Sequence, residues 1–511
     1  MKARIHNWLD KAKRRIQKRL RPTQWTEQPR PMLTARNICY EPSERTSGLA
    51  AGGMGAMHLL AQQSGLVKLI DTHLHLLKRH LPYHESDHVL NLAYNVLAGG
   101  SRIEHLELRR NDEVYLDALG AERIPDPTTA GDFCRRFQSS DVERLLECIN
   151  AARLRVWRRQ PKAFFREAVI DGDGTIAPTA GECKEGMQLA YNGQWGYHPL
   201  LISLANTGEP LYVLNRSGNR PSAEGAAAYF DRAITLCRRA GFQKIRLRGD
   251  TDFSQTQYLD DWDRAGVKFV FGIDAMPNLV ELAENLPKIA FRPLLRPAKY
   301  EVKTEPRQRP PNVKQQIVVE KGFEDRRLLR EDVAMVFYRP TACARSYRLV
   351  VLRKTIAIER WQQRLFDEVV WFFYLTNDQE QSATEIVFSA NQRCNQENLI
   401  AQLKGGVKAL ALPVDSLVSN WAYMVMASLA WTLKAWSALW LSESGRWAKQ
   451  HAVEKQRLLR MEFATFAQAM IQIPCQIVRT ARRVVYRLLA WNPWAHVLLR
   501  LVSQLRHPLR C

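Results

Sequence analysis

The sequence predicts an α/β protein with a mixed β-sheet core and helical regions before and after it. From residue 161 to residue 274, strand-like apolar runs alternate with helical segments. Residues 275–367 break this alternation with further strand-like runs, and the core pattern returns in residues 368–410. The flanking regions, residues 31–160 and 411–511, show mainly helical periodicity. A sheet covered by helices and interrupted by a β-rich insertion accounts for this order.

The composition indicates a protein of several domains with a polyanionic partner. The chain has 511 residues, more than one typical domain, and 46% of them are hydrophobic, which suffices for a buried core. Its formal net charge is +22. So large a positive charge favours binding to the phosphate backbone of nucleic acid, and an anionic membrane surface is the alternative partner.

The cysteines and the apolar stretches favour a protein of the reducing cytosol. Nine cysteines are scattered along the chain without a CxxC pair, which indicates neither secretion nor a metal site. The N-terminus lacks the apolar run of a signal peptide. The most apolar stretch, residues 421–433, is closed by Lys434 and is shorter than the roughly 20 residues that span a bilayer. It therefore predicts a buried helix.

The first segment, residues 1–30, predicts a basic N-terminal arm. In residues 1–22, apolar positions form one helical stripe, and lysines and arginines crowd the other faces. Pro22 and the PRPM segment (29–32) end this helix in a linker. We interpret the arm as a helix that lies on DNA. A membrane-surface helix and a merely solvated charged helix are the alternatives.

Residues 85–150 predict several short helices, and one of them has the features of a DNA-reading helix. Asp126 and Pro127 fit the N-cap and the first position of a helix over TTAGDFCRRF. The side chains available to face outward are Thr128, Thr129, Arg135 and Arg136. A helix-turn-helix in which Arg135 and Arg136 bind DNA would use this helix, and a plain helical bundle is the alternative.

Each element of the core has a local signal. AFFREAVIDGD predicts a strand, and YHPLLISLA and LYVLNRS predict a hairpin around the Asn206-Thr207-Gly208 turn. A helix is expected from an N-cap at Ser222 to Gly241, followed by the strands KIRLRGD and VKFVFGID. In the insertion, IVVE, VAMVFYR and SYRLVVLR predict strands after a PRQRPP break. VVWFFYLTN (369–377) resumes the core and leads into a helix that carries Glu397.

Three carboxylates stand in positions suited to metal-dependent chemistry. Asp173 in VIDGDGT and Asp250 in RLRGDTDF follow apolar strand-like runs, and Glu397 in NQRCNQENLI lies mid-helix. Carboxylates at strand ends open into the crevice where α/β sheets bind ligands. Three such acids can hold two divalent metals about 3.5–4 Å apart, the arrangement used for in-line phosphoryl transfer. With the strong positive charge, the pattern predicts an enzyme that cuts and joins DNA.

The first two acids have alternatives close by. Asp171 lies on the same strand face as Asp173 and is the second choice as metal ligand. A DGDGT loop could also be a turn that binds no ligand. Asp252 is the alternative to Asp250, although it lies past the strand end.

The third acid is accompanied by two cations. Arg393 and Lys404 fall on the same face of a continuous helix as Glu397. In a metal site on DNA, these cations would hold the phosphate strand while Glu397 holds metal. An ordinary salt-bridged helix surface is the alternative.

Together, the segments DGDGT, RGDTDF and NQR-x3-E-x6-K resemble the motifs of DDE transposases of bacterial insertion sequences. More narrowly, they resemble the group with a Tyr/Arg/Glu/Lys signature, and within it the IS-thirteen-eighty type. The resemblance covers roughly residues 85–490, including YNGQWGYHPLL and YRLVVLRK. It places the family's catalytic, metal-binding acids on Asp173, Asp250 and Glu397, and the signature Arg and Lys on Arg393 and Lys404.

One position departs from the signature. The family's Tyr stands three residues before the Arg, where this chain has Ala390. Because that aromatic helps to grip the transposon end in the family, its absence implies that end-handling is altered or that another residue has taken the role. The three acids are intact.

The resemblance implies both a fold and a reaction. The expected fold is an RNase H-like core with a β insertion, and the expected cofactors are two Mg²⁺ ions, for which Mn²⁺ can substitute. The expected reaction is cut-and-paste transposition by a homodimer that binds terminal inverted repeats and then target DNA. An aromatic of the insertion would stack on a flipped base, with Trp361 and Phe337 as candidates, and core packing is the alternative role for each. Such a protein would be bacterial, cytoplasmic and associated with the nucleoid.

Three other functions remain open at this point. The chain could be a transposase-derived DNA-binding protein without catalysis, as the change at Ala390 allows. It could be a nuclease of the same core fold that cuts without joining. It could also bind membranes peripherally through residues 1–22.

Overall fold

The computed structural model describes residues 2–20, 46–297, 311–361, 363–480 and 483–506. The predicted linker around PRPM and most of the PRQRPP segment lie outside these residues. The chain divides into two compact units. Unit 1 comprises Met1–Gln160, Thr179–Met187 and Ile400–Cys511, and unit 2 comprises Pro161–Pro178 and Gln188–Leu399.

The α-helices among the described residues are, in chain order, α1 (Lys2–Leu20), α2 (Met54–Gln63), α3 (Leu66–His73), α4 (Glu85–Leu97), α5 (Leu106–Arg110), α6 (Glu113–Leu119), α7 (Pro127–Arg135), α8 (Ser139–Trp157), α9 (Ala226–Ala240), α10 (Leu259–Arg264), α11 (Pro277–Glu284), α12 (Val313–Glu320), α13 (Ala383–Asn391), α14 (Cys394–Ala401), α15 (Leu417–Trp440), α16 (Ala448–Arg460), α17 (Phe463–Phe466) and α18 (Ala495–Leu505). The basic N-terminal helix and the short helices predicted in residues 85–150 are therefore present.

The strands of the described residues are β1 (Gly48–Leu49), β2 (Glu167–Gly174), β3 (Ala177–Pro178), β4 (Gln188–Leu189), β5 (Trp195–Tyr197), β6 (Leu200–Leu204), β7 (Glu209–Leu214), β8 (Lys244–Gly249), β9 (Lys268–Ile273), β10 (Arg292–Pro293), β11 (Asp325–Tyr338), β12 (Tyr347–Arg360), β13 (Gln363–Thr376), β14 (Cys475–Thr480) and β15 (Arg483–Leu488). They confirm the strands and the hairpin predicted for the first part of the core.

A nine-stranded mixed sheet forms the centre of unit 2. Its strand order is β10-β11-β12-β13-β9-β8-β2-β6-β7. Strand β8 runs parallel to both β2 and β9, and the other neighbours are antiparallel. The predicted mixed sheet is thereby confirmed. Because β2 and β8 are parallel neighbours, their carboxyl ends lie at the same edge of the sheet, which is where α/β folds bind ligands.

The strands of the predicted β insertion extend this same sheet. The three 14-residue strands β11, β12 and β13 form an antiparallel meander. Its last strand pairs with β9, with Phe373 opposite Ile273. Strand β13 begins in the segment predicted as insertion and ends in the segment predicted as core. The meander and the core strands are therefore continuous in hydrogen bonding.

Two local predictions in this unit are wrong. IVVE lies in helix α12 because Asn312 caps the helix, its side chain accepting from the Gln315 amide, and this cap outweighs the β-branched run. Ser222 is not the N-cap of α9. The helix starts after Gly225, whose φ of +76° turns the chain into the helix, and it ends at Gly241 as expected.

Unit 1 is organised around the long apolar helix α15. Every residue from Ser419 to Trp440 is buried, and α15 packs against α2, α4, α7, α8 and α16, which confirms the predicted buried helix. Burial lowers the pKa of Lys434 to about 7, and its Nζ donates to the Leu459 carbonyl at 3.0 Å. None of the described helices is long and apolar enough to cross a membrane.

The C-terminal region is less uniformly helical than predicted. Its strands β14 and β15 form an antiparallel hairpin that pairs with β1 in a three-stranded sheet. The alternation in QIVRT and RVVYRL, which are rich in β-branched residues, explains why these segments form strands.

Helix α7 starts where the sequence predicts. Asp126 is its N-cap, accepting from the Thr129 amide at 2.9 Å, and Pro127 is its first residue. Arg135 and Arg136 are both exposed. Arg135 forms ion pairs with Asp132 at 2.9 Å and with Asp415 at 3.0 Å, so any DNA phosphate must compete with two carboxylates for it.

Replacing the N-cap should destabilise the protein. Asp126→Ala leaves the Thr129 amide without its acceptor, and we expect the free energy of unfolding to fall by about 1 kcal/mol. Urea denaturation followed by circular dichroism measures this change. Asp132→Asn, which breaks only an exposed ion pair on the same helix, should change it by no more than about 0.5 kcal/mol. Equal losses in the two variants would contradict the capping role.

Candidate active site

Strand β2 separates its residues onto two faces of the sheet. Gly172 faces helix α9, where an added Cβ would lie 2.5 Å from the Phe230 ring. Asp171 and Asp173 point to the opposite face, as strand alternation predicts. The glycine thus lets α9 pack directly on the strand that carries both acids.

Asp171 is held in an internal ion pair. It is 1% exposed, and its two carboxylate oxygens accept from Arg248 Nε at 2.7 Å and Nη2 at 2.8 Å. Arg248 also donates to the Ser389 carbonyl at 2.9 Å, which ties β8 to α13. This buried, bidentate pair gives Asp171 a structural role.

Asp173 and Asp250 converge on one arginine. Nη1 of Arg393 lies 3.5 Å from Asp173 Oδ2 and 3.7 Å from Asp250 Oδ2. Asp173 is near the end of β2, and Asp250 directly follows β8, so the parallel pairing of these strands brings the acids together. Asp250 also accepts from the Asp252 amide at 3.1 Å, which fixes the turn after the strand.

The environment of Asp173 and Asp250 disfavours the ionised form of both carboxyls. Burial, together with the neighbouring charge of Asp250, raises the pKa of Asp173 to about 7. Burial also raises the pKa of Asp250, and Arg393 opposes the rise at both carboxyls. A group of acids whose pKa values are raised in this way is typical of a functional site.

Glu397 lies in the first turn of α14 and is exposed. Its charge is one of the causes that raise the pKa of Asp173. Within the part of the chain that the structure describes, no three His, Cys, Asp or Glu side chains are arranged to hold a metal ion. The structure therefore brings two of the predicted acids together and leaves the third outside a closed metal-binding cluster.

The helix predicted to carry Arg393, Glu397 and Lys404 on one face is not continuous. Helices α13 and α14 are separated at Gln392 and Arg393, and a π-helical segment, Gln402–Gly406, follows α14. Arg393 therefore lies in the break, which is how its guanidinium turns toward the aspartates. Lys404 is exposed in the π-helical segment and belongs to unit 1, so its role remains a prediction.

Gln396 is a positioning residue that the sequence did not reveal. It is buried, accepts from the Ser203 hydroxyl, and donates to the Leu201 carbonyl at 3.2 Å. Both partners are on β6, and Leu201 is paired with Asp173 across the sheet. Gln396 thus anchors the helix of Glu397 to the strand beside Asp173.

Ala390, where the sequence resemblance would place the signature Tyr, packs at the edge of a hydrophobic cluster. This cluster contains Val350, Leu352, Ile386 and Val387, and Tyr374 packs against it as well. The charge of Arg393 influences the pKa of Tyr374, which burial raises. An aromatic from β13, Tyr374, therefore lies within the electrostatic influence of Arg393.

Comparison with known families decides the class of protein. Residues 47–509 match the family described as Transposase DDE domain group 1. The chain belongs to this family of DDE transposases. The match covers most of the chain and confirms the resemblance to DDE transposases found in the sequence motifs. No curated protein matches the transposase by sequence.

Among solved structures, the transposase is similar to a cryo-EM structure of the piggyBac transposase synaptic complex with hairpin DNA. The two chains are 10% identical, and the match covers 84% of this chain and 83% of the other, with a TM-score of 0.36.

Proposed function

We propose that the transposase binds the terminal inverted repeats of a bacterial insertion sequence of the IS-thirteen-eighty type and moves it by cut-and-paste transposition. The observation that carries this proposal is the convergence of Asp173 and Asp250 on Arg393 at the edge formed by β2 and β8. Glu397 is proposed as the third acid because its charge already acts on Asp173.

The strand order supports an RNase H-like core. The part β7-β6-β2-β8-β9 of the sheet is built around β2. On one side of β2 lie the antiparallel strands β6 and β7, and on its other side lie the parallel strands β8 and β9. The first two acids then fall at the ends of two neighbouring parallel strands. On this assignment, the meander β11–β13 is the β insertion and enlarges the core sheet.

The acids fit a divalent cation. Carboxylate oxygens are the ligands that Mg²⁺ prefers. Burial first, and then the charge of Asp250, raise the pKa of Asp173, and a bound cation would stabilise its ionised carboxylate. Two Mg²⁺ ions, or Mn²⁺ in their place, would supply an activated attacking oxygen and a stabilised leaving oxygen. Asp173, Asp250 and Glu397 would hold them.

Arg393 has two roles in this proposal. It neutralises Asp173 and Asp250, and it becomes available to a DNA phosphate when those acids take another cation. Lys404 is proposed as a second phosphate contact. In end cleavage a water oxygen attacks the phosphodiester and the DNA 3′-oxygen leaves, and in strand transfer that 3′-hydroxyl attacks a phosphodiester of target DNA as its 3′-oxygen leaves. No covalent bond to the protein forms in either step.

DNA binding is proposed to extend over the N-terminal region. Helix α1, the exposed Arg135 and Arg136, and the net charge of +22 support contacts to the phosphate backbone. Arg136 is the stronger candidate of the two because Arg135 is paired with Asp132 and Asp415. Two ends must be cut together, so a homodimer on paired ends is proposed.

A plasmid assay tests this function against its alternatives. A donor plasmid carrying the element's own ends is incubated with the transposase, Mg²⁺ and a target plasmid. Excised element and insertion products are expected. Cleaved ends without insertion would instead indicate a nuclease, and binding without any cleavage would indicate a transposase-derived binding protein.

A further inference from the structure

A cavity of about 390 Å³ lies in unit 2 beside the two aspartates. Its lining includes Tyr191, His198, Arg220, Ser222 and Asp252. The last of these donates its amide to Asp250 at 3.1 Å. The cavity wall and the candidate active site therefore share the turn that follows β8.

The opposite wall reaches the strand of the first acid. A Cβ on Gly174, the residue after Asp173, would lie 2.8 Å from His198 Nε2 and 3.3 Å from Ser222 Cβ. The absence of a side chain at Gly174 is what lets the cavity approach β2 so closely. A molecule in the cavity would thus lie next to both strand ends that carry the aspartates.

Hydrogen bonds and close packing fix the walls of the cavity. His198 is buried, its Nδ1 lies 2.8 Å from the Arg220 carbonyl, and its own carbonyl accepts from Arg216 Nε at 2.9 Å. Gly218 packs so tightly against the β4–β5 hairpin that a Cβ would lie 2.4 Å from the Gln188 carbonyl. These contacts hold the loop of Arg220 against the hairpin that carries Tyr191.

The groups that face the cavity suit a nucleotide. Tyr191 is 86% exposed at the tip of the hairpin, where Gly193 has a φ of +78°. Its ring is 6.4 Å from the His198 ring. Arg220 is half-exposed and paired only loosely with Glu224, at 3.3 Å, so its guanidinium can be recruited by a stronger anion.

We propose that this cavity binds one nucleotide of the DNA strand next to the phosphodiester that is cut. Its base stacks on Tyr191, and its phosphate is bound by Arg220. Stacking on an aromatic tolerates any base, so the contact would position the strand without reading its sequence. This inference rests on the proposed function because that function places a DNA strand at the neighbouring acids.

The test uses duplexes of the element end with 2-aminopurine at one position next to the cleavage point. Binding to the full-length transposase is followed by fluorescence in EDTA, so the DNA remains uncut. At one such position, wild type should quench the 2-aminopurine. Tyr191→Ala should lose that quenching and bind about tenfold more weakly, and Tyr191→Phe should retain both. Arg220→Ala should weaken binding by a similar factor.

Matched controls lie outside the cavity lining. Trp195 is 54% exposed on the same hairpin, and Arg264 is an exposed arginine with an acidic partner three residues away, Asp261. Trp195→Ala and Arg264→Ala should keep wild-type quenching and affinity. Loss of quenching in these controls as well, or full quenching in Tyr191→Ala, would overturn the proposal.

Failure of this inference is distinguishable from failure of the proposed function. The same duplexes in Mg²⁺ report cleavage by wild type. Cleavage by wild type together with unchanged binding by Tyr191→Ala would remove the nucleotide site alone. Absence of cleavage by wild type would remove the proposed function and this inference with it.

Discussion

The variants Asp250→Ala and Glu397→Gln should bind the element ends and leave them uncut. We expect cleavage in Mg²⁺ to fall by a factor on the order of a thousand or more, because each change removes an oxygen ligand from the proposed metal site. The affinity for the ends should stay within about threefold of wild type, since phosphate contacts supply most of the binding free energy. Gel assays of cleavage and of complex formation measure the two effects separately.

The control for this prediction is an acid of the same unit outside the site. Asp261 is 65% exposed and pairs with Arg264 at 2.8 Å, so Asp261→Asn should cut like wild type. Cleavage that survives in both Asp250→Ala and Glu397→Gln would mean that the active site lies elsewhere. Loss of end binding in these variants would point to misfolding or to a role in DNA binding.

Asp171 and Asp173, two residues apart on one strand, should have opposite effects on stability. Asp171→Ala leaves the buried Arg248 without its bidentate partner, and the free energy of unfolding should fall by about 3–5 kcal/mol. Asp173→Asn, in contrast, removes a carboxylate whose ionised form is destabilised by burial and by the charge of Asp250. It should stabilise the metal-free protein at neutral and alkaline pH.

The pH dependence of the free energy of unfolding follows from the raised pKa of Asp173. With its pKa raised to about 7, Asp173 keeps a proton in the folded protein that the unfolded chain releases near its usual pKa of 3.8. The free energy of unfolding of wild type therefore falls as pH rises between these two values. Asp173→Asn lacks this fall, so above about pH 7 it should be more stable than wild type by on the order of 2–4 kcal/mol.

Thermal unfolding in EDTA across this pH range measures both predictions. The stabilisation by Asp173→Asn should grow with pH and then level off. If Asp173→Asn were the destabilised variant and Asp171→Ala the neutral one, the assignment of structural and metal-binding roles on β2 would be reversed.

The core strands were predictable because their signals are local. Alternation in KIRLRGD and VKFVFGID, and the turn at Asn206-Thr207-Gly208, depend on neighbouring residues alone, and each produced the expected strand. The placement of Asp173 and Asp250 at strand ends followed from the same patterns. The local patterns did not predict the pairing of β2 with β8, which brings the two acids together across the sheet.

The contacts that organise the site were not predictable from the sequence. Arg248 pairs with Asp171, and Gln396 pairs with Ser203, over long distances along the chain. No periodicity reveals such pairs. The predicted continuous helix through Arg393 assumed regular spacing, whereas the break at this residue turns its guanidinium toward the aspartates. The strand predicted for IVVE failed for the related reason that a single cap at Asn312 outweighed the residue preferences after it.

Cleavage of the polypeptide by bound iron tests most directly whether Asp173, Asp250 and Glu397 form one metal-binding centre. In the complex with end DNA, Fe²⁺ replaces Mg²⁺, and ascorbate with peroxide cuts the protein backbone close to the metal. We predict new chain ends near residues 173, 250 and 397, all suppressed by excess Mg²⁺. Cuts that omit the region of residue 397, or that cluster elsewhere in the chain, would contradict a metal site shared by the three acids.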